Sequence, residues 1–267
     1  MIDNPRSPRV RAVAKLAKRD ARSETGFFLL EGPQAVAEAL EFRPELLVDL
    51  FATPTALERN GAISRRATEA GVEVEFVSES VIEAMADTVT PQGVIAVCRQ
   101  FPTSLKDILG AEPTLIAILE EVRDPGNAGT IIRAADAAGA DAVILTGRSV
   151  DLYNPKVVRA TTGSLFHVPV CVGVELETVL EKAKAAGLQV VAADIKGSDL
   201  LAERSAGTLA GPTAWLFGNE ARGLSEEHFA LADRAITVPI YGHAESMNLA
   251  TAASVCLYES AFAQRTP

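Results

Sequence analysis

The feature that most constrains this chain is a series of short, uninterrupted apolar runs, each followed by residues at helical spacing. Residues 27–31 (FFLLE), 114–119 (TLIAIL), 142–145 (AVIL) and 213–217 (TAWLF) are runs of this kind. A strand with one wet face alternates polar and apolar side chains, whereas a strand covered on both faces stays apolar throughout. The chain therefore reads as α/β, a small α/β layer in its first third and, in the second part, a mostly parallel sheet with helices on both faces. Strands are predicted at 27–31, 46–52, 72–77 and 93–99, and again at 114–119, 142–145, 167–172, 189–193, 213–217 and 235–239. Helices are predicted at 8–22, 34–42, 56–70 and 79–86, then at 126–138, 154–160, 177–186 and 248–263. Residues 101–113 (FPTSLKDILGAEP) carry two prolines, a glycine and little periodicity, which marks a boundary. The expected division is a small α/β domain over 1–100, a linker over 101–113 and a larger domain over 114–267.

Composition narrows the function classes. With 267 residues there is enough chain for one large or two modest cores. No apolar run reaches membrane-spanning length, and the basic N-terminus has no apolar core of a secretory signal. A cytoplasmic protein is expected, with a mitochondrial-type targeting helix, also basic, as the rival reading. Cys98, Cys171 and Cys256 stand far apart, and the three histidines His167, His228 and His243 are isolated. Neither a disulfide framework nor a metal site is expected, and the thiols read as buried and reduced. Net charge is −10, which by itself argues against a nucleic-acid partner. The charge is uneven, however: Arg6, Arg9, Arg11, Lys15, Lys18, Arg19 and Arg22 face a single acid, Asp20. That segment is either a phosphate-binding arm or a solvated helix face.

Three segments place unusual polar residues at expected strand ends, where open parallel sheets bind ligands. In residues 120–145, Asn127 stands near a helix start, where Asn can cap. Arg133 follows among Ile131, Ile132, Ala134 and Ala135, and read as buried it needs an anionic partner, such as Asp136, or a wet cleft. In residues 214–227, the apolar strand enters a loop with Gly218, Asn219, Glu220 and Gly223, where glycines admit close backbone approach. In residues 238–259, Pro239 ends a strand, and Ser246-Met247-Asn248 opens an Ala-rich helix that Ser246 could cap. Trp215 and the Phe27-Phe28 pair read as core.

In order and spacing these segments resemble the three motifs of the SpoU family of RNA methyltransferases, the TrmH-like branch of the SPOUT superfamily. They stand here as Asn127-Ala-Gly129-Thr-Ile-Ile-Arg133, then Phe217 to Leu224, then Ser246-Met247-Asn248. The segment Phe27 to Gly32 resembles the start of that family's ribosomal-protein-like substrate-binding domain, so the likeness spans nearly the whole chain. The resemblance implies a trefoil-knotted catalytic domain that holds S-adenosylmethionine and methylates a ribose 2′-hydroxyl. It implies a cofactor pocket formed by Ala193, Leu216, Phe217, Gly218, Asn219, Val238, Ile240 and Met247. It assigns catalysis to Arg133, with Asn127, Glu220, Ser246 and Asn248 orienting it, the ribose and the cofactor. A guanidinium stays protonated in proteins, so the physical role for Arg133 is a phosphate clamp that also stabilises developing alkoxide charge. Arg159 is expected to reach the partner subunit's site in a homodimer, and Arg9, Arg11, Lys15, Lys18 and Arg22 to meet RNA. The missing GxGxG after a first strand fits the knotted class rather than the Rossmann methyltransferases. Within that family an appended N-terminal domain is more typical of ribosomal RNA enzymes, so the resemblance implies ribosomal RNA as the substrate. Transfer RNA, a non-catalytic RNA- or ribosome-binding role, and methylation of a protein or small molecule are the alternatives.

Overall fold

The computed structural model describes residues 1–265. Two compact units emerge, Met1–Phe101 with Asp151–His167, and Pro102–Val150 with Val168–Pro267.

The first unit is built on a four-stranded sheet of β1 (Phe27–Glu31), β2 (Leu47–Ala52), β3 (Val74–Phe76) and β4 (Val94–Arg99). The order is β1-β4-β2-β3, with β4 antiparallel to β1 and β2, and β2 parallel to β3. The helices Pro8–Lys15 and Glu79–Met85 supply Val10, Val13, Val81, Ile82 and Met85 to a core with Leu29, Phe51, Ile95 and Val97.

Two helices expected as continuous are broken. Residues 8–22 form Pro8–Lys15 and Arg19–Thr25, separated by a tight turn. The cause is Arg22, whose Nη1 donates to the carbonyls of Leu16 and Ala17 at 2.8 and 2.9 Å. It thereby satisfies acceptors that a helix end leaves open. Residues 56–70 likewise split into Pro54–Arg59 and Gly61–Ala70 at Asn60, whose side-chain amide donates to the Ala56 carbonyl at 2.8 Å.

The second unit is a six-stranded sheet in which every neighbouring pair is parallel. Its strands are β5 (Leu115–Glu120), β6 (Ala142–Thr146), β7 (Val170–Val174), β8 (Gln189–Asp199), β9 (Thr213–Phe217) and β10 (Arg234–Thr237). The order is β10-β8-β9-β5-β6-β7, and the central strands β5 and β9 are buried along their whole length. Residues 101–113, expected as a linker, carry the helix Leu105–Gly110, whose Leu105 and Ile108 join the core with Leu176, Val179 and Leu180. The short helices Leu200–Ser205 and Glu226–Ala230 were also not expected, since neither is long enough to show a period. The strand predicted at 189–193 runs on to Asp199, but not as a regular ladder. Ala235 pairs with Ala192 and the next residue, Ile236, pairs with Ser198, so residues 193–197 leave the sheet as an excursion. Gly197 permits it, because a Cβ there would lie 2.4 Å from Ala235 backbone.

A candidate cofactor cavity and three joined motifs

The excursion of β8 and the carboxyl ends of β9 and β10 surround a cavity of about 160 Å³. Ala193, Asp194 and Ile195 of the excursion form one wall, with Phe217, Asn219 and Glu220 from the end of β9. Ile236, Thr237, Val238 and Ile240 close a second side, and Ser246, Met247, Leu249 and Ala252 a third. Of the expected cofactor residues, Ala193, Phe217, Asn219, Val238, Ile240 and Met247 line this cavity, as do Glu220 and Ser246 of the expected catalytic set. Leu216 and Gly218 do not line it: Leu216 is wholly buried in the sheet core. Gly218 is instead required by its turn, because a Cβ there would lie 2.5 Å from the Gly223 carbonyl carbon. That turn is closed by paired backbone bonds between Asn219 and Gly223 at 3.1 and 2.8 Å. The Asn219 side chain also donates to the Glu121 carbonyl at 2.8 Å.

Beside the cavity, hydrogen bonds join all three motifs. Glu220 Oε1 accepts from Asp124 N at 3.0 Å and from the Asn127 side-chain amide at 3.4 Å. Its Oε2 accepts from Arg123 N at 3.2 Å. Asn127 Oδ1 then accepts from Asn248 Nδ2 at 2.9 Å. Asn127 and Asn248 lie 121 positions apart in sequence and meet because the helix Pro125–Ala138 packs against the closing helix Leu249–Arg265.

The capping assignments differ from expectation. Asp124, not Asn127, caps the helix Pro125–Ala138, its Oδ1 accepting from Asn127 N at 2.7 Å. Asn248, not Ser246, caps the closing helix Leu249–Arg265, accepting from Ala250 N and Thr251 N at 2.9 and 3.2 Å. Arg133 is exposed rather than buried. At 100° per residue, Ile131, Ile132, Ala135 and Ala138 turn into the core, which leaves Thr130, Arg133 and Ala137 outside.

The expected RNA-binding cations divide into two groups, all within the first unit. Arg9 is held by Asp49 at 2.6 Å and Glu75 at 2.5 Å, and Arg22 is buried against Asp151 at 2.6 Å. Arg159 is tied to Glu31 and Asp87 at 3.0 and 2.9 Å. These three are committed to internal carboxylates. Arg11, Lys15 and Lys18 are exposed on the N-terminal segment.

The SpoU rRNA Methylase family matches residues 114–258, more than half of the chain. The chain belongs to that family. An MRM3-like substrate binding domain matches residues 7–96 of this SpoU-family protein. It is 33% identical over 261 residues to the 23S rRNA (guanosine(2553)-2'-O)-methyltransferase RlmP of Bacillus subtilis, covering 96% of this chain and 97% of that one. It is 32% identical to the 23S rRNA (uridine(2479)-2'-O)-methyltransferase of Streptomyces viridochromogenes, covering 92% and 86%. Among solved structures, the AdoMet-bound rRNA methyltransferase from Sinorhizobium meliloti superposes with a TM-score of 0.83 at 34% identity, covering 97% of this chain and 96% of that one.

The cavity of this SpoU-family chain suits an adenosyl sulfonium. Phe217, Ile236, Val238, Ile240 and Leu249 offer apolar contact, while Asp194, Glu220, Thr237 and Ser246 offer polar groups suited to hydroxyl, ammonium and sulfonium centres. Asp194, Ile195, Ile236, Thr237, Leu249 and Ala252 were not anticipated. The one available signal was Asp194, an acid directly after the apolar run Val190 to Ala193 at a strand's carboxyl end. Among the described residues, no group of three or more His, Cys, Asp or Glu could hold a metal ion, and no helix is long and apolar enough to cross a membrane.

Proposed function

We propose that this protein transfers the methyl group of S-adenosylmethionine to a ribose 2′-hydroxyl of ribosomal RNA, in the cytoplasm and as a homodimer. The observation that carries the reading is the hydrogen-bonded chain Glu220–Asn127–Asn248 beside the cavity, which ties all three motifs of the family into one site. When bound, the cofactor supplies an electrophilic methyl group. The chain's own residues must then hold the ribose in line and help the hydroxyl proton leave. Glu220 fixes the loop at Arg123 and Asp124, and Asn127 fixes the start of the closing helix through Asn248. Arg133, exposed on the helix that Asn127 begins, is assigned the substrate phosphate and the charge developing on the 2′-oxygen. Ser246 is assigned to the methionine end of the cofactor and Met247 to its adenosine. The N-terminal domain is assigned to RNA binding through Arg11, Lys15 and Lys18. Exposed Tyr258 and Phe262 on the closing helix support a subunit interface there.

The test is methyl transfer from radiolabelled S-adenosylmethionine to unmodified ribosomal RNA and, separately, to bulk transfer RNA. Label should appear on ribosomal RNA and survive alkali as a 2′-O-methylated dinucleotide. Arg133→Ala should lower turnover about 100-fold or more, in line with loss of a transition-state charge contact, while cofactor affinity by calorimetry stays within about threefold. Near-normal turnover in that variant would remove Arg133 from the mechanism.

A further inference from the structure

We propose that a second cavity beside the first receives the nucleobase of the methylated nucleotide and selects guanine, an inference that rests on the RNA-methylating reading above. This cavity, about 340 Å³, is lined by Glu120, Glu121, Asn219, Arg222, Leu224 and His228 among others. It lies over the carboxyl ends of β5 and β9, next to the cofactor cavity over β8, β9 and β10. Asn219 lines both cavities. A nucleotide whose ribose sits at the first can therefore place its base in the second, as enzymes acting on an extruded nucleotide do.

The lining is built rather than incidental. Glu120 has a side chain only 7% exposed, yet it faces the cavity. Thr146 Oγ1 donates to one of its oxygens, and His228 Nδ1 stands 3.5 Å from the other. Glu177 holds the far side of the same imidazole at 3.6 Å. At the mouth, the Arg222 guanidinium meets the Glu121 carboxylate at 2.8 Å. The mouth thus presents a strong donor beside a strong acceptor, and Arg123 meets the same Glu121 oxygen at 3.2 Å. The wall at Gly223 is bare backbone at φ 64°.

That pairing has one best complement among the bases. Guanine carries two adjacent donors, N1–H and the 2-amino group, next to an acceptor, O6. A carboxylate can accept both donors while a guanidinium donates to O6. Uracil has one donor between two acceptors, so a carboxylate meets a repelling oxygen. Adenine and cytosine each offer one amino group and no second adjacent donor. A good bidentate contact discriminates by roughly 5- to 150-fold.

The experiment uses the full chain, saturating S-adenosylmethionine and a ribosomal RNA transcript in which the methylated nucleotide has been mapped. Guanosine is expected at that position. Replacing it by adenosine, cytidine or uridine should lower kcat/KM at least tenfold, and inosine, which lacks the 2-amino group, by about tenfold. Glu121→Gln should lower kcat/KM on guanosine about tenfold or more and abolish the inosine penalty, with cofactor affinity unchanged by calorimetry. A merely structural role for Glu121 would instead leave that penalty intact, which overturns the proposal. So would a methylated nucleotide other than guanosine, in which case the methyltransferase reading stands alone. Label on no RNA at all would overturn both.

Discussion

Asn127 and Glu220 should behave as one unit, and a double-mutant cycle measures whether they do. Glu220 accepts from Asp124 N, Arg123 N and the Asn127 amide at 3.0, 3.2 and 3.4 Å, and Asn127 in turn accepts from Asn248 at 2.9 Å. Each such bond contributes about 1 kcal/mol net in folded proteins, and this one is exposed, so water recovers part of the loss. Glu220→Ala should therefore cost only about 1 kcal/mol of stability. Its effect on turnover is larger, because the network holds segments from three parts of the chain in one geometry. Misplacing a reacting group by about 1 Å can lower a rate roughly 100-fold. Asn127→Ala and Glu220→Ala are each expected to lower kcat about 30-fold, which corresponds to about 2 kcal/mol. If either change already frees the loop, the double variant should fall within about threefold of the worse single, as residues acting together do. Single-turnover methyl transfer with saturating RNA and cofactor reads this, with calorimetric melting to confirm folding. A double variant slowed by the product of the singles, about 1000-fold, would refute the network.

Other outcomes follow from the same contacts. Trp215 Nε1 donates to Ser260 Oγ at 2.9 Å with both residues wholly buried, so Ser260→Ala orphans the indole N–H. It should cost about 1–3 kcal/mol, read as a fall in Tm and absent in a Trp215→Phe background. Replacing Arg11, Lys15 and Lys18 by Ala should reduce the slope of log affinity for single-stranded RNA against log salt by about 2. Arg9→Ala should leave that slope unchanged, because Asp49 and Glu75 already hold its charge. Burial raises the Asp233 carboxyl, but Lys184 and the Val190 N–H outweigh it and leave it below the ordinary value. A lowered folded-state value stabilises above the unfolded value and is lost as pH falls through the folded one. Asp233→Asn should thus melt lower at pH 7, and the two proteins should converge as pH drops below about 4.

Most strands were legible because burial on both faces writes an apolar run into the sequence, as in Leu115–Glu120 and Thr213–Phe217. The helix breaks near Leu16 and at Asn60 were not, because apolar spacing continues across them and the break depends on side-chain donors to carbonyls. The exposure of Arg133 was readable in principle from the helical angle of Ile131, Ile132, Ala135 and Ala138. Reading its neighbours in sequence, rather than around the helix, made it look buried. The β8 excursion had no local signature, so Asp194 and Ile195 were missed while the motif residues around them were found.

The sequence by itself determined the parallel α/β class and the order and spacing of the three motifs, since both depend on residues near one another in the chain. Tertiary structure alone decided which charges remain available to a partner. Arg9 pairs with Asp49, 40 positions away, while Arg22 and Arg159 meet Asp151 and Glu31 at separations of 129 and 128. It likewise decided that Asn127 meets Asn248 across 121 positions. Such contacts are set by where the sheet brings distant segments together, and the strength of an ion pair or hydrogen bond depends on that distance and burial, not on spacing along the chain.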